Sequence, residues 1–348
     1  MDFSKKILDW YQHNKRTLPW RLTKDPYKIW LSEIMLQQTR VAQGLPYYEK
    51  FVARFPTVFD MARATEEEVL KLWQGLGYYS RARNMHLTAK TIVEEYNGQF
   101  PSSYEGLLKL KGVGDYTASA ISSICFDEPQ PVVDGNVYRV LSRFFGVDIP
   151  INTTKGQKYF KEMARSVMSE ENIREYNQGI MEFGAIQCAP KKPYCLLCPI
   201  KDGCLALSSN RVKELPVKLK KGKIKERHFN YVVFIDEKKN TLIEQRTGKD
   251  IWQGLYQFPL FETAERANEK QIANFLDKNF SAIATTAPVL YNQEEIIHKL
   301  SHQHLKTRFW IVRTKGILKD GISWSVVEGF PVPVLLADFI KSFKNDYF

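Results

Sequence analysis

Four cysteines fall within seventeen residues, as Cys188-x6-Cys195-x2-Cys198-x5-Cys204. Thiolates spaced this closely can hold one tetrahedral zinc ion or a [4Fe–4S] cluster, and the spacing leaves both open. Lys191, Lys192, Lys201 and three prolines share the segment, so the centre could also present cations to a phosphate backbone. The fifth cysteine, Cys125, stands alone in an apolar helical stretch and reads as a core thiol. So few cysteines do not make a secreted disulfide framework.

Two carboxyls stand out for their surroundings. Glu33 lies in Trp30-Leu31-Ser32-Glu33-Ile34-Met35-Leu36, a helical pattern apolar on almost every face, which predicts burial. An ionised carboxylate there is costly unless paired, and desolvation raises its pKa toward what a general acid needs. The competing reading is a buried ion pair with Arg16, Arg21 or Arg40, and spacing by itself favours it. Asp134, in Pro131-Val132-Val133-Asp134-Gly135-Asn136-Val137, follows an apolar run and precedes a helix, as an N-cap does. Amide donors at a cap hold a carboxylate ionised and lower its pKa. One carboxyl kept protonated and one kept charged is the logic of glycosidic-bond cleavage through a cation-like transition state.

These groups need rigid elements. Asp25-Pro26 supplies an N-cap and a first-turn proline for a helix running to about Thr39. Apolar periodicity predicts further helices near 40–54, 66–74, 80–97, 103–110, 115–126, 135–145, 154–168 and 172–187. Between two of them Gly112-Val113-Gly114 makes a tight turn, and amides at the next helix start can face an anion such as a DNA phosphate. An ordinary helical corner fits the same residues. Residues 208–228 are basic and poor in apolar side chains, as in a linker. From residue 229 the pattern turns α+β. Strands are expected at 231–235, 241–245, 287–291, 296–300 and 305–313, with helices at 263–279 and after Pro333.

At 348 residues the chain is long enough for about two domains. Its 44% hydrophobic and 26% charged residues exclude a disordered chain. A net charge of +11 favours a polyanionic partner. No apolar run reaches the ~18 residues of a membrane helix, and no signal segment opens the chain, so a cytoplasmic location is expected, or a nuclear one.

The helix–hairpin–helix, Val132-Val133-Asp134-Gly135-Asn136-Val137 and the four-cysteine loop together resemble the endonuclease III superfamily of DNA glycosylases. Ser32-Glu33-Ile34-Met35-Leu36-Gln37-Gln38-Thr39 and Gly75-Leu76-Gly77-Tyr78-Tyr79-Ser80-Arg81 resemble its adenine DNA glycosylase (MutY) branch. The resemblance covers about residues 5–207 and extends weakly beyond. It implies an all-α helix–hairpin–helix domain over residues 1–207 with one [4Fe–4S] cluster on Cys188, Cys195, Cys198 and Cys204. A 208–228 linker and a Nudix-like α+β domain over 229–348 follow. The implied partner is double-stranded DNA carrying 8-oxoguanine:adenine or guanine:adenine mispairs, the enzyme acting as a monomer and away from membranes.

The resemblance also implies roles. Glu33 protonates adenine, Asp134 stabilises the positive sugar, and Tyr116 and Asn136 position them. Gly112, Val113 and Gly114 meet the DNA backbone, Gln38 and Tyr78 enter the helix beside the mispair, and Ser301 and His302 read the oxidised purine. Where the branch commonly has Phe before that Ser-His pair, this chain has Leu300. Bifunctional relatives carry a lysine nucleophile where this chain has Tyr116, and a phenol cannot form a Schiff base. Two other readings remain: a bifunctional glycosylase/lyase for oxidised pyrimidines, and a non-catalytic DNA-binding cluster or zinc protein.

Overall fold

Local chemistry starts and stops the helices that carry the carboxyls. The computed structural model of the chain describes residues 3–220, 222, 224–283 and 285–347. Asp25 accepts a hydrogen bond from the Tyr27 amide (3.0 Å) and Pro26 opens the Pro26–Leu36 helix. That helix ends before the expected Thr39, because Gln37 leaves helical geometry and Gln38 takes a left-handed backbone, φ 57°. Ile29 to Met35 are all buried, as the pattern predicts.

The helix packs on Val41–Arg54 and on Asp115–Phe126. Asp115–Phe126 can approach closely because its buried face is built of Ala118, Ser119, Ala120, Ser122 and Ser123. Its serines are satisfied within the helix: Ser119 and Ser123 donate to carbonyls four residues back, at 2.8 and 2.6 Å. Two further helices, Gly135–Phe144 and Ile173–Ile186, pack together where Gly184 faces Asn136. A Cβ on Gly184 would lie 2.7 Å from the Asn136 Cβ and 2.8 Å from its carbonyl oxygen, so only glycine fits.

Two compact units emerge: residues 1–63 with 84–220, and residues 64–83 with 221–348. The expected division at 207 and 229 therefore differs from the packing in two places. Residues 64–83, helical as expected over Glu66–Leu72, group with the C-terminal part. Inside that second unit Lys71 donates to the carbonyls of Glu328 and Phe330, and Arg83 donates to the Gln253 carbonyl at 2.5 Å. Nor is the start of the basic segment a free tether. Leu215 is buried, its carbonyl accepts from Arg143 (3.1 Å), and Val217 accepts from the Ile151 amide (3.1 Å).

Among the described residues every strand lies in the second unit. Lys225–Ile235 runs parallel to Gln303–Arg313 in the middle of a five-stranded mixed sheet. Leu260–Thr263, Val289–Leu290 and Ile296–Lys299 pair antiparallel to these two. The first strand begins inside the expected linker, at Lys225. The expected 241–245 strand is split into Asn240–Thr241 and Glu244–Gln245, which pair with different partners. The expected 263–279 helix is Glu269–Asn279, opened by a reciprocal Asn268–Gln271 capping box. That helix covers a core of Val232, Phe234, Trp310 and Val312.

Candidate active site

One open cleft in the first unit gathers Glu33, Asp134, Tyr116 and Asn136. At about 1030 Å³ it reaches the top of the ~300–1,000 Å³ range of ligand pockets. Gln38, Gly112 and Gly114 line it as well.

Glu33 is 7% exposed. Burial pushes its carboxyl up to about 7, opposed by a hydrogen bond from Tyr116 and raised further by the charge of Asp134. Two of the three arginines expected as its partners are occupied elsewhere, and the third, Arg40, lines the cleft without a salt bridge to it. Arg16 and Arg21 both close on Glu182, with contacts of 2.6 to 3.0 Å from their guanidiniums. Glu182 is thereby held at about 2 despite its burial. No salt bridge to Glu33 occurs among the described residues, and Arg21 acts on it only at longer range.

Asp134 is the expected N-cap. Its Oδ1 accepts from the amides of Asn136 and Val137, both at 2.8 Å, and its Oδ2 from the Asn136 side chain at 2.7 Å. The expectation that capping lowers its pKa is corrected: burial outweighs the three donors, and the carboxyl is raised. The two carboxyls still differ in kind, because Asp134 has three donors that favour its anion whereas Glu33 has one hydroxyl. Tyr116 keeps a partial opening to the cleft, and burial with two neighbouring carboxyls pushes its phenol well above the usual tyrosine range. Its hydroxyl also lies 3.3 Å from Met181 Sδ.

The hairpin turn stands at the cleft edge. Gly112 is required by φ 77° and by Asn84, whose side chain would meet a Cβ at 2.9 Å. Gly114 has an ordinary extended backbone and open space around it, and Val113 is buried. Tyr78, Ser301 and His302 lie in the second unit. Tyr78 is 43% exposed with φ 49°, and the Arg81 guanidinium lies over its ring. Ser301 and His302 are exposed in the turn joining Ile296–Lys299 to Gln303–Arg313.

The four clustered cysteines line a second, far smaller cavity of about 30 Å³, together with Arg143. Arg143 donates to Cys188 Sγ (3.4 Å) and to the Ala189 carbonyl (2.9 Å). None of the four is in a disulfide. Among the described residues no three His, Cys, Asp or Glu side chains converge on a single-ion position. Cys125 is separate, and burial pushes its thiol up to about 12, as for an inert core cysteine.

Residues 31–169 match the HhH-GPD superfamily of base excision DNA repair proteins, and residues 230–340 match the NUDIX domain. The adenine DNA glycosylase of Buchnera aphidicola subsp. Acyrthosiphon pisum (strain APS) is 32% identical over 359 residues, covering 99% of each chain. That of Buchnera aphidicola subsp. Schizaphis graminum (strain Sg) is 38% identical over 303 residues, covering 86% of this chain and 84% of that protein. The chain belongs to the adenine DNA glycosylase family. This glycosylase hydrolyses N-glycosidic bonds of adenine in DNA and acts in base excision repair. A solved thermostable thymine-DNA glycosylase superposes with a TM-score of 0.55 at 31% identity, covering 60% of this chain and 95% of that one.

Three residues of this glycosylase's site were missed from sequence. Glu182 binds arginines more than 160 positions away. Asn177, fully buried, bonds the Gln130 carbonyl (2.8 Å) and Ser123 (2.8 Å) and so fixes the extended run that leads to Asp134. Gln178 lines the cleft with its Oε1 bound by the Tyr11 hydroxyl at 2.8 Å. The helical period of the Ile173–Ile186 segment placed them on a helix but gave no sign of their partners.

Holding Glu33 near 7 costs stability. Its folded pKa lies above its unfolded value of 4.5, so folding takes up a proton between those values and stability falls as pH rises from about 4.5 through 7. Glu33→Gln removes that loss. Denaturant unfolding at pH 8 is expected to find the variant more stable by on the order of 2 kcal/mol, with the gain absent at pH 4. Equal stability at both pH values would show that Glu33 is not strained.

Proposed function

We propose that this glycosylase removes adenine mispaired with 8-oxoguanine, and more weakly with guanine, without cutting the strand. The observation that carries the reading is Glu33 buried on the cleft with Arg16 and Arg21 bound to Glu182, while Asp134 faces the same cleft with three donors on its carboxylate. The adenine is turned out of the stack into the cleft. Glu33 then gives its proton to adenine N7, which makes the base a better leaving group. The bond to the sugar breaks, and Asp134 stabilises the positive charge that develops there. Tyr116 and Asn136 hold the two carboxyls in place, and water completes the hydrolysis. No lysine is among the described residues lining the cleft, which supports a monofunctional enzyme.

Gln38 and Tyr78 are the wedges that enter the duplex beside the mispair, and both are exposed. Gly112, Val113 and Gly114 meet the DNA backbone. Ser301 and His302 offer hydrogen bonds to the oxidised purine from an exposed turn. The enzyme works as a monomer on DNA in the cytoplasm.

Cys188, Cys195, Cys198 and Cys204, all free thiols lining one cavity, would hold a [4Fe–4S] cluster. Their thiolates would each ligate one iron, and the Arg143 guanidinium beside Cys188 suits an anionic group. When bound, the cluster supplies a cross-link for this segment. Arg139 joins the segment to the site, donating to the Cys188 carbonyl (2.8 Å) and to Asn136 Oδ1 (2.9 Å).

The test is base release from a duplex with adenine opposite 8-oxoguanine, followed by alkali to cut the abasic site. Glu33→Gln is expected to bind the mispair and release no adenine, and the wild-type rate should fall above about pH 7 as Glu33 ionises. Asp134→Asn should lose about 3 kcal/mol of transition-state stabilisation, roughly 100-fold in rate. Turnover by Glu33→Gln would remove Glu33 as the acid, and strand cutting without alkali would contradict the monofunctional reading. The purified protein should be brown and absorb near ~400 nm. A colourless, zinc-containing protein would overturn the cluster.

A further inference from the structure

We infer that Glu182 is a positioning residue for this reaction: by holding Arg21, together with Arg16, it keeps the Arg21 guanidinium from pairing with Glu33, so the acid stays loaded with its proton. The inference rests on the reading of Glu33 as the acid. Glu182 projects from the Ile173–Ile186 helix into the cleft, and its side chain is 1% exposed. It accepts from Arg16 Nε (2.7 Å), Arg16 Nη2 (2.6 Å) and the Arg16 amide (3.0 Å). From Arg21 it accepts Nη1 (3.0 Å) and Nη2 (2.8 Å). Both oxygens are thus shared between two guanidinium forks, which fixes where those charges sit.

Position decides the outcome because the arginines and Glu33 line one cleft. The groups that act directly on Glu33 are Tyr116 and Asp134, from the two helix starts packed beside it, and Arg21. Cys125 lies within its electrostatic reach, and Asp115, Arg16 and Arg40 share the cleft. Asp134 favours the protonated acid; Tyr116 and Arg21 oppose it. A guanidinium released to pair with Glu33 would lower its titration by about 1–3 pH units, as an opposite charge within about 4–6 Å does. The acid would then be empty at neutral pH. A carboxylate that takes both forks prevents this.

The test is the pH dependence of single-turnover adenine release by the full-length enzyme, with circular dichroism to confirm folding. Glu182→Gln is expected to move the alkaline limb down by about one pH unit, with the rate on the acid side held within a few-fold. Adding Arg21→Gln to Glu182→Gln should bring the limb back up. Glu182→Asp keeps the charge but not the reach to both forks, and should shift the limb part of the way. It carries the test alone if Glu182→Gln does not fold. A rate lowered equally at every pH with the limb unmoved would make Glu182 structural only, and so would a shifted limb that Arg21→Gln does not restore. Glu33→Gln, run alongside, separates the two claims: if it is inactive and the Glu182 limb is unmoved, this inference alone fails. If it is active, the assignment of the acid fails first.

Discussion

A carboxyl enclosed by apolar side chains with a single hydroxyl for a partner is expensive to ionise, and Glu33 is such a group. Much of the first unit serves to keep it so. Trp30, Leu31, Ile34 and Met35, its neighbours on the helix, are buried with it. The small residues of Asp115–Phe126 let that helix come close enough for Tyr116 to reach it. Glu182 takes up Arg16 and Arg21, two cations of the same cleft. Asp134 sits across the same cleft with a different set of donors, so one proton and one negative charge have distinct places to reside.

What could be read from the residues alone followed the range of the interaction. Asp134 is a cap, and caps bind amides two and three residues ahead, so Asp134 before Asn136 and Val137 was legible. Burial of Glu33 was legible because the apolar period surrounds it within one helix. The change from helical to α+β architecture was legible for the same reason: period 3.6 gives way to period 2. The partners of Arg16 and Arg21 were not legible, since Glu182 lies over 160 residues away and a lone glutamate on an amphipathic helix signals nothing. On spacing, the bland ion pair for Glu33 was the better reading. The fold overturns it by offering the arginines a second carboxylate. The direction for Asp134 was misjudged because donors were visible in the sequence and the depth of burial was not.

Element edges failed where a strand or turn borrows residues from a neighbour. Lys225 and Glu226 are charged and read as linker, yet they pair with Gln303 and His304 in the parallel ladder. Residues 64–83 carry helical signals like their neighbours, and nothing local shows that Lys71 and Arg83 are bound by carbonyls from residues 253–330. Gly254, with φ 84° and Glu66 and Leu70 within 3.1 Å of a would-be Cβ, is part of that same packing. The tyrosine assigned as a wedge, Tyr78, and the turn assigned as a lesion reader, Ser301–His302, therefore belong to one compact unit.

The protonation of Glu33 can be read without any turnover. Carbon-13 NMR of side-chain carboxyls, with Glu33→Gln to identify the resonance, follows its titration in the free enzyme. A midpoint near 7 is the result this account requires. A midpoint near 4.5, the ordinary glutamate value, would mean that the cleft holds two carboxylates and no acid, and the account would be wrong at its base.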